Sequence, residues 1–99
     1  MAEAEVGSAV ISKAGRDKGS WLLVVGAEDG YVYLADGGAR KLIRPKKKKL
    51  THVQPTNHAS DDIKGRLESG LYVSDADIRK FLSALEGGTD GVQERRDRS

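Results

Sequence analysis

Short, mostly apolar runs separated by glycine-bearing breaks fill the first half of the chain, and this pattern constrains the fold more than any other feature. The runs occupy residues 6–12, 21–25 and 31–35. Runs of this length between turn signals are typical of β-strands. The pair Asp29-Gly30 lies between the second and third runs and is a strong hairpin signal. The pattern therefore predicts consecutive antiparallel strands.

Two further short strands are predicted at residues 40–43 and 50–53, which gives five strands in about fifty residues. Five short strands joined by tight turns favour a small antiparallel barrel. The run at 21–25 is apolar at every position, so both of its faces need burial. We expect one face to fill the barrel and the other to be covered by a second element.

Helical periodicity appears after residue 60. Ser74 and Asp77 have the spacing of a capping box, and an apolar helix face follows them at i, i+3, i+4 and i+7. This face consists of Ile78, Phe81, Leu82 and Leu85. A weaker helix is predicted to begin at Ser60 and to end at Gly70, and Gly87 is expected to end the second helix. The two helices predict a hairpin that covers the barrel.

These patterns divide the chain into four segments. Residues 1–5 and 87–99 are predicted to be disordered, because they contain too few apolar side chains to offset their ordering entropy. Residues 6–54 form the predicted barrel, and residues 55–86 form the helical appendage. The predicted fold class is mainly β, a small β-barrel followed by a C-terminal helical hairpin.

Several classes of function are not expected. The chain has no cysteine, which excludes disulfides, thiolate zinc sites and a cysteine nucleophile. His52 and His58 lack partners at metal-ligand spacing, and the acidic residues at 61, 62, 75 and 77 suit helix starts better than catalysis. We expect a non-enzyme with no catalytic residue, metal site, cofactor or small-molecule substrate. No signal peptide or membrane span is apparent, so a cytoplasmic protein without a membrane partner is expected.

Positive charge is concentrated in one short segment. The net charge is only +2, yet residues 40–49 contain seven cations and no anion. The cations are Arg40, Lys41, Arg44, Lys46, Lys47, Lys48 and Lys49. A high density of positive charge indicates an anionic binding partner and says little about the fold, and it favours nucleic acid as that partner. A solvated lysine run on an exposed strand is the alternative.

The break between the first two strands is a basic loop bounded by glycines. Gly15 and Gly19 flank Arg16 and Lys18, and Lys13 precedes them. Glycine at both ends permits a sharp turn and close approach of the backbone to a partner. An ordinary β-turn with solvated charges is the competing interpretation.

Residues 10–19, followed by the apolar strand at 22–26, resemble a KOW motif. The similarity extends through residues 31–32 and 36–37 to the basic segment and ends near His52. The chain is most similar to short bacterial KOW-domain RNA-binding proteins, which are related to a KOW-carrying large-subunit ribosomal protein of eukaryotes and archaea. Gly19 matches the defining glycine of the motif.

The resemblance implies an SH3-like barrel that binds structured RNA, above all ribosomal RNA, in a ribosome-associated or translation-related role. Ribosomal proteins are a second class of expected partner. The predicted RNA-binding residues are Lys13, Gly15, Arg16, Lys18, Gly19, Arg40, Lys41, Arg44, Lys46, Lys47, Lys48, Lys49 and His52. The alternative is a protein-interaction module that docks on the transcription or translation machinery. The net-negative second half of the chain and its apolar helix face favour this alternative.

Overall fold

A five-stranded antiparallel sheet followed by two helices forms the structure, a computed structural model that describes residues 4–88. The strands are β1 (Ser8–Ser12), β2 (Trp21–Glu28), β3 (Tyr31–Ala35), β4 (Lys46–Lys49) and β5 (Val53–Ala59). A 3₁₀ helix (Leu50–His52) joins β4 to β5, and the α-helices are α1 (Asp61–Glu68) and α2 (Asp75–Gly88). The strand order is β4-β3-β2-β1-β5, with β4 and β5 at the two edges. The predicted mainly β class with two C-terminal helices is confirmed.

The central strands are buried on both faces, as predicted, by two separate apolar clusters. One cluster lies between the sheet and the helices and contains Ala9, Leu23, Ala35, Ile63, Val73, Ile78 and Leu82. The other lies on the opposite face and contains Val10, Leu22, Val24, Val32, Leu34 and Val53. Phe81 and Leu85 are partly buried against the first cluster. The apolar helix face is therefore occupied by the sheet.

Both helix starts follow their sequence signals. The Ser60 hydroxyl accepts a hydrogen bond of 3.1 Å from the Ile63 N–H at the start of α1. Before α2, the Ser74 N–H donates to Asp77 Oδ2 and the Asp77 N–H donates to Ser74 Oγ, each at 3.0 Å. This reciprocal pair is the predicted capping box. Gly87 does not end α2, which includes Gly88.

The fourth and fifth strands lie elsewhere than predicted. Residues 40–43 form a turn, because the Asp36 carboxylate accepts the Gly38 and Arg40 N–H groups and the Arg44 N–H donates to Lys41 O. The fourth strand is the lysine run itself, which pairs with β3. Because lysine is depleted in strands, the sequence did not predict a strand here; pairing with β3 stabilises it.

The sheet also extends beyond the predicted barrel boundary at residue 54. Leu50–His52 is helical, and β5 continues to Ala59, pairing Pro55 with Val10 and Ala59 with Ser8 of β1. The helical appendage consequently begins near Asp61 and not at residue 55, and α1 follows its predicted cap, Ser60. Pro55 is tolerated because β5 is an edge strand, where a missing N–H costs no interior ladder bond.

The predicted disordered ends fall mostly outside the described residues. Residues 1–3 and 89–99 lie outside them, while residues 87 and 88 belong to α2. Ala4 packs against the second cluster, and Glu5 pairs with Lys64 at 3.3 Å. In residues 4–88, neither helix is long and apolar enough to cross a membrane.

Candidate nucleic-acid interface

The loop between β1 and β2 folds back on the end of β1. Gly15 and Gly19 have φ angles of +86° and +89°, a region that other residues rarely occupy. The Gly19 N–H donates to Ser12 O at 2.8 Å, and the Lys13 N–H donates to His52 O at 2.9 Å. The loop is therefore tied to the 3₁₀ helix that follows β4. This local geometry explains why glycine stands at both positions.

Asp17, the one acidic residue of the loop, is its internal anchor. Its Oδ1 accepts a hydrogen bond of 2.9 Å from Lys48 Nζ and lies 2.8 Å from the Ser12 hydroxyl. Lys48 Nζ also donates to Ala14 O at 2.8 Å. Burial opposes ionisation of Asp17, but the bonds from Lys48 and Ser12 and the charge of Lys48 together outweigh it. The pKa of Asp17 therefore lies below its ordinary value of 3.8.

Lys48 lies on the inner side of β4, although the sequence places it among exposed lysines. It is only 9% exposed and pairs with Val32, a member of the second apolar cluster. Its position follows from the alternation of side chains along a strand. Its ammonium group is already engaged by Asp17 and Ala14. The predicted phosphate contact at this position is thus an internal ion pair that links β4 to the loop.

Arg40 is also directed toward the loop. Its Nη2 lies 3.8 Å from Asp17 Oδ2, which is within ion-pair range but too long for a hydrogen bond. Two predicted RNA-binding cations, Arg40 and Lys48, therefore converge on one carboxylate. This convergence partly neutralises them and fixes the turn after β3 relative to the loop.

The outer side of β4 combines lysines with tyrosines. Lys47 pairs with Tyr33, and Lys49 pairs with Tyr31 across the strands. Lys47 Nζ lies 4.7 Å from the centre of the Tyr31 ring and 2.8 Å from Glu28 Oε2. The hydrogen bond between Lys47 and Glu28 lowers the pKa of Glu28 and raises that of Lys47. Both side chains of this pair are about half exposed, so solvent screens it.

The loop and β4 meet in one open groove of about 410 Å³. Its lining includes parts of the β1–β2 loop, β3, β4 and the 3₁₀ helix. The lining residues are Ala14, Gly15, Tyr31, Lys46, Lys47, Lys48, Lys49 and His52. Six of them belong to the predicted RNA-binding set. The groove therefore joins two basic segments that lie about thirty residues apart in the sequence.

Five further predicted cations do not line this groove. Those on the loop are Lys13, Arg16 and Lys18, and those on the turn before β4 are Lys41 and Arg44; all five are exposed. None of the five forms an ion pair within residues 4–88. They are exposed positive charges available to an anionic partner.

Two residues of the groove region lie outside the predicted RNA-binding set. Asp17 holds the loop, and the available signal was a lone acid inside a basic segment. Tyr31 presents an aromatic ring at the groove, and its signal was the alternation of Tyr31 and Tyr33 along one strand face. The residue that contacts Asp17 is distant in sequence, since Lys48 is 31 positions away.

The chemistry of the groove is cationic and hydrogen-bonding. Within the described part of the chain, no group of three or more His, Asp or Glu side chains is placed to hold a metal ion. His52 lines the groove, whereas His58 lies on β5 with its ring 5.9 Å from that of Trp21. The ammonium groups, the imidazole and the tyrosine ring suit an anionic, partly aromatic ligand.

Comparison with known proteins gives no relative: the chain matches no protein-family model and no curated protein.

Proposed function

We propose that this chain binds structured RNA, with ribosomal RNA as the principal target, through the groove between the β1–β2 loop and β4. The observation that carries the proposal is the junction of a glycine-bounded loop, exposed lysines and a tyrosine ring in one groove. Lysines provide phosphate contacts, which dominate the affinity of proteins for nucleic acids. The tyrosine provides a flat surface for an unpaired base.

The fold supports the more specific proposal of a KOW-type, SH3-like barrel. Five short antiparallel strands, a basic glycine loop between the first two, and a short 3₁₀ helix before the last are compatible with that type. The sequence resemblance at residues 10–26 covers the same loop. The ribosomal target and an association with ribosomal proteins are proposed from this resemblance.

The proposed contacts divide into three groups. Lys13, Arg16 and Lys18 meet RNA from the loop, while Gly15 and Gly19 permit close approach of its backbone. His52 and the exposed lysines of β4 line the groove, and these lysines are Lys46, Lys47 and Lys49. Arg40, Lys41 and Arg44 extend the positive surface along the preceding turn. Lys48 acts indirectly, by holding the loop through Asp17.

The test is the salt dependence of RNA affinity for the full chain. Each phosphate contact contributes roughly 0.7 to 0.9 to the slope of log K against log salt. The double variant Lys47→Gln/Lys49→Gln should therefore lower that slope by about 1.5 and weaken binding to ribosomal RNA fragments at low salt. Lys80→Gln, which removes an exposed cation of α2, is the matched control and should leave the slope unchanged.

An equal slope for the double variant and the Lys80→Gln control would exclude β4 from the interface. The identity of the RNA is tested separately, by ultraviolet crosslinking in cells followed by sequencing of the attached RNA. Crosslinks concentrated at one or two ribosomal RNA helices are expected. Crosslinks scattered over many RNAs would contradict a ribosomal target.

A further inference from the structure

A second surface, away from the groove, is apolar and exposed. Ile43, Leu71 and Tyr72 are 90%, 62% and 81% exposed, and all three line an open groove of about 440 Å³. Leu42 and Val73 line the same groove and pack against the cluster beneath the helices. Large apolar side chains that share a concave surface mark interaction sites. We call these five residues the apolar patch.

The apolar patch is held by hydrogen bonds of the backbone on both sides. The Leu42 N–H donates to Asp75 Oδ1 at 2.8 Å, which fixes the turn against the start of α2. The Leu71 N–H donates to Arg66 O at 2.8 Å, and Arg66 Nη1 donates to Tyr72 O at 3.1 Å. A preformed surface loses little conformational entropy on binding.

The edge of the apolar patch is positively charged. Lys41 and Arg44 flank Ile43 in the turn, both are exposed, and neither forms an ion pair within the described residues. Asp75 also lines the patch; its Oδ1 accepts the Leu42 N–H, and its one negative charge leaves the two cations in excess. Apolar residues at the centre with arginine and lysine at the edge are the composition of a protein-binding surface.

We propose that the apolar patch binds an acidic segment of another protein, one that carries apolar side chains beside its carboxylates. The apolar side chains of that segment fill the space between Ile43 and Tyr72. Its carboxylates pair with Lys41 and Arg44, which also steer the encounter. The apolar patch shares no lining residue with the RNA groove, but Lys41 and Arg44 are also among the proposed RNA contacts, so RNA and the acidic segment share these two cations.

Other occupants fit the apolar patch less well. A second copy related by twofold symmetry would place two sets of Lys41 and Arg44 in one interface, where the two Asp75 carboxylates leave positive charge in excess, and excess like charge is unfavourable. Single-stranded RNA would satisfy the cations, but Ile43 and Leu71 provide neither a stacking ring nor hydrogen bonds for base edges. Charge and apolarity together favour the acidic segment.

The rest of this chain is also a poor occupant. Residues 89–99 begin at the far end of α2, and a helix of this length spans about 20 Å from Asp75. They contain three arginines, three acidic residues and Val92 as their one apolar side chain. This composition offers neither net negative charge nor several apolar anchors.

The test is selection of peptides from a random twelve-residue display library on the full chain, with counter-selection against the Ile43→Ser variant. We expect recovered peptides that combine Asp or Glu with two or more large apolar residues. In fluorescence anisotropy they should bind Ile43→Ser and Tyr72→Ala about tenfold more weakly than the original chain. Leu50→Ser, which alters an apolar side chain 42% exposed outside the patch, should bind them unchanged.

Several results would overturn this proposal. They are a failure to enrich any sequence over the counter-selected variant, enrichment of basic peptides, or shifts of the Leu71 and Tyr72 amide signals by single-stranded RNA alone. Concentration-dependent dimerisation that Ile43→Ser abolishes would assign the patch to a second copy. Thermal unfolding verifies that the variants fold. RNA affinity should be retained in Ile43→Ser and Tyr72→Ala, so the two proposals fail independently.

Discussion

The two sides of β4 carry the same amino acid and serve different ends. On the inner side, Lys48 is buried and bound to Asp17 and Ala14. On the outer side, Lys47 and Lys49 are exposed. The difference arises from strand alternation and from the contact of Lys48 with Asp17, since Lys46 lies on the same side as Lys48 and is exposed. It teaches that a run of identical charges is not a uniform surface, because the register of the strand decides which charges are structural and which are available.

Substitution of the inner lysine, Lys48, should have the largest effect, and this effect is on the stability of the fold. Lys48→Ala leaves the Asp17 carboxylate buried beside an apolar side chain, and loss of one partner of such a pair costs about 3 kcal/mol. For a domain of this size the melting temperature should fall by about 15 °C. The same substitution at Lys49 should change the free energy of unfolding by less than about 0.5 kcal/mol. Thermal and urea unfolding measure both.

A double variant sharpens this prediction. Lys48→Met with Asp17→Asn removes both charges, and a neutral pair of similar volume should recover most of the stability that Lys48→Ala loses. Equal stability of Lys48→Ala and Lys49→Ala would mean that the inner ion pair contributes nothing.

A smaller effect is expected from pH. The pKa of Asp17 is lowered in the folded state, so its ionised form stabilises the fold. This contribution is fully present above the ordinary value of 3.8 and is lost as the pH falls through the folded-state pKa. The stability difference between the original chain and Asp17→Asn, measured by urea unfolding from pH 7 downward, should therefore shrink in acid. A difference independent of pH would contradict the assignment.

The smallest effect concerns the outer side. Glu28→Gln removes the carboxylate that pairs with Lys47 and that would repel an RNA phosphate. We expect an unchanged melting temperature and RNA affinity higher by about threefold at low salt. Asp29→Asn, in the adjacent turn, is the control for a general change of net charge. A gain of the same size in both variants would show that Lys47 has no specific part in binding.

Local patterns predicted most of the fold, and distant contacts account for what they missed. Residue spacing was enough to predict three features that the structure contains. They are the burial of the apolar run at 21–25, the capping pair Ser74 and Asp77, and the helix face with Ile78 and Leu82. Spacing did not predict that the lysine run forms β4, because its pairing with β3 depends on a turn that Asp36 and Asp75 hold by hydrogen bonds. The apolar helix face, which favoured docking, is buried against the sheet.

The candidate site was predicted in its composition but not in its arrangement. The exposed cations of β4 were named from charge density, and those of the loop from its flanking glycines and from the resemblance to a KOW motif. Only the folded structure shows that Gly15 and Lys49 line one groove. It also shows that Lys48 is buried and not one of the exposed cations. The apolar patch had no sequence signal, since Ile43 and Tyr72 come from segments that periodicity assigned to a strand and a linker.

The position of β4 at the edge of the sheet has a consequence for solubility. An edge strand presents unpaired backbone groups, and these can template the addition of strands from other molecules. Here the edge strand consists of four lysines, three of them exposed, so a second copy that approached the edge would meet like charges. We therefore expect these lysines to disfavour the addition of another strand at this edge.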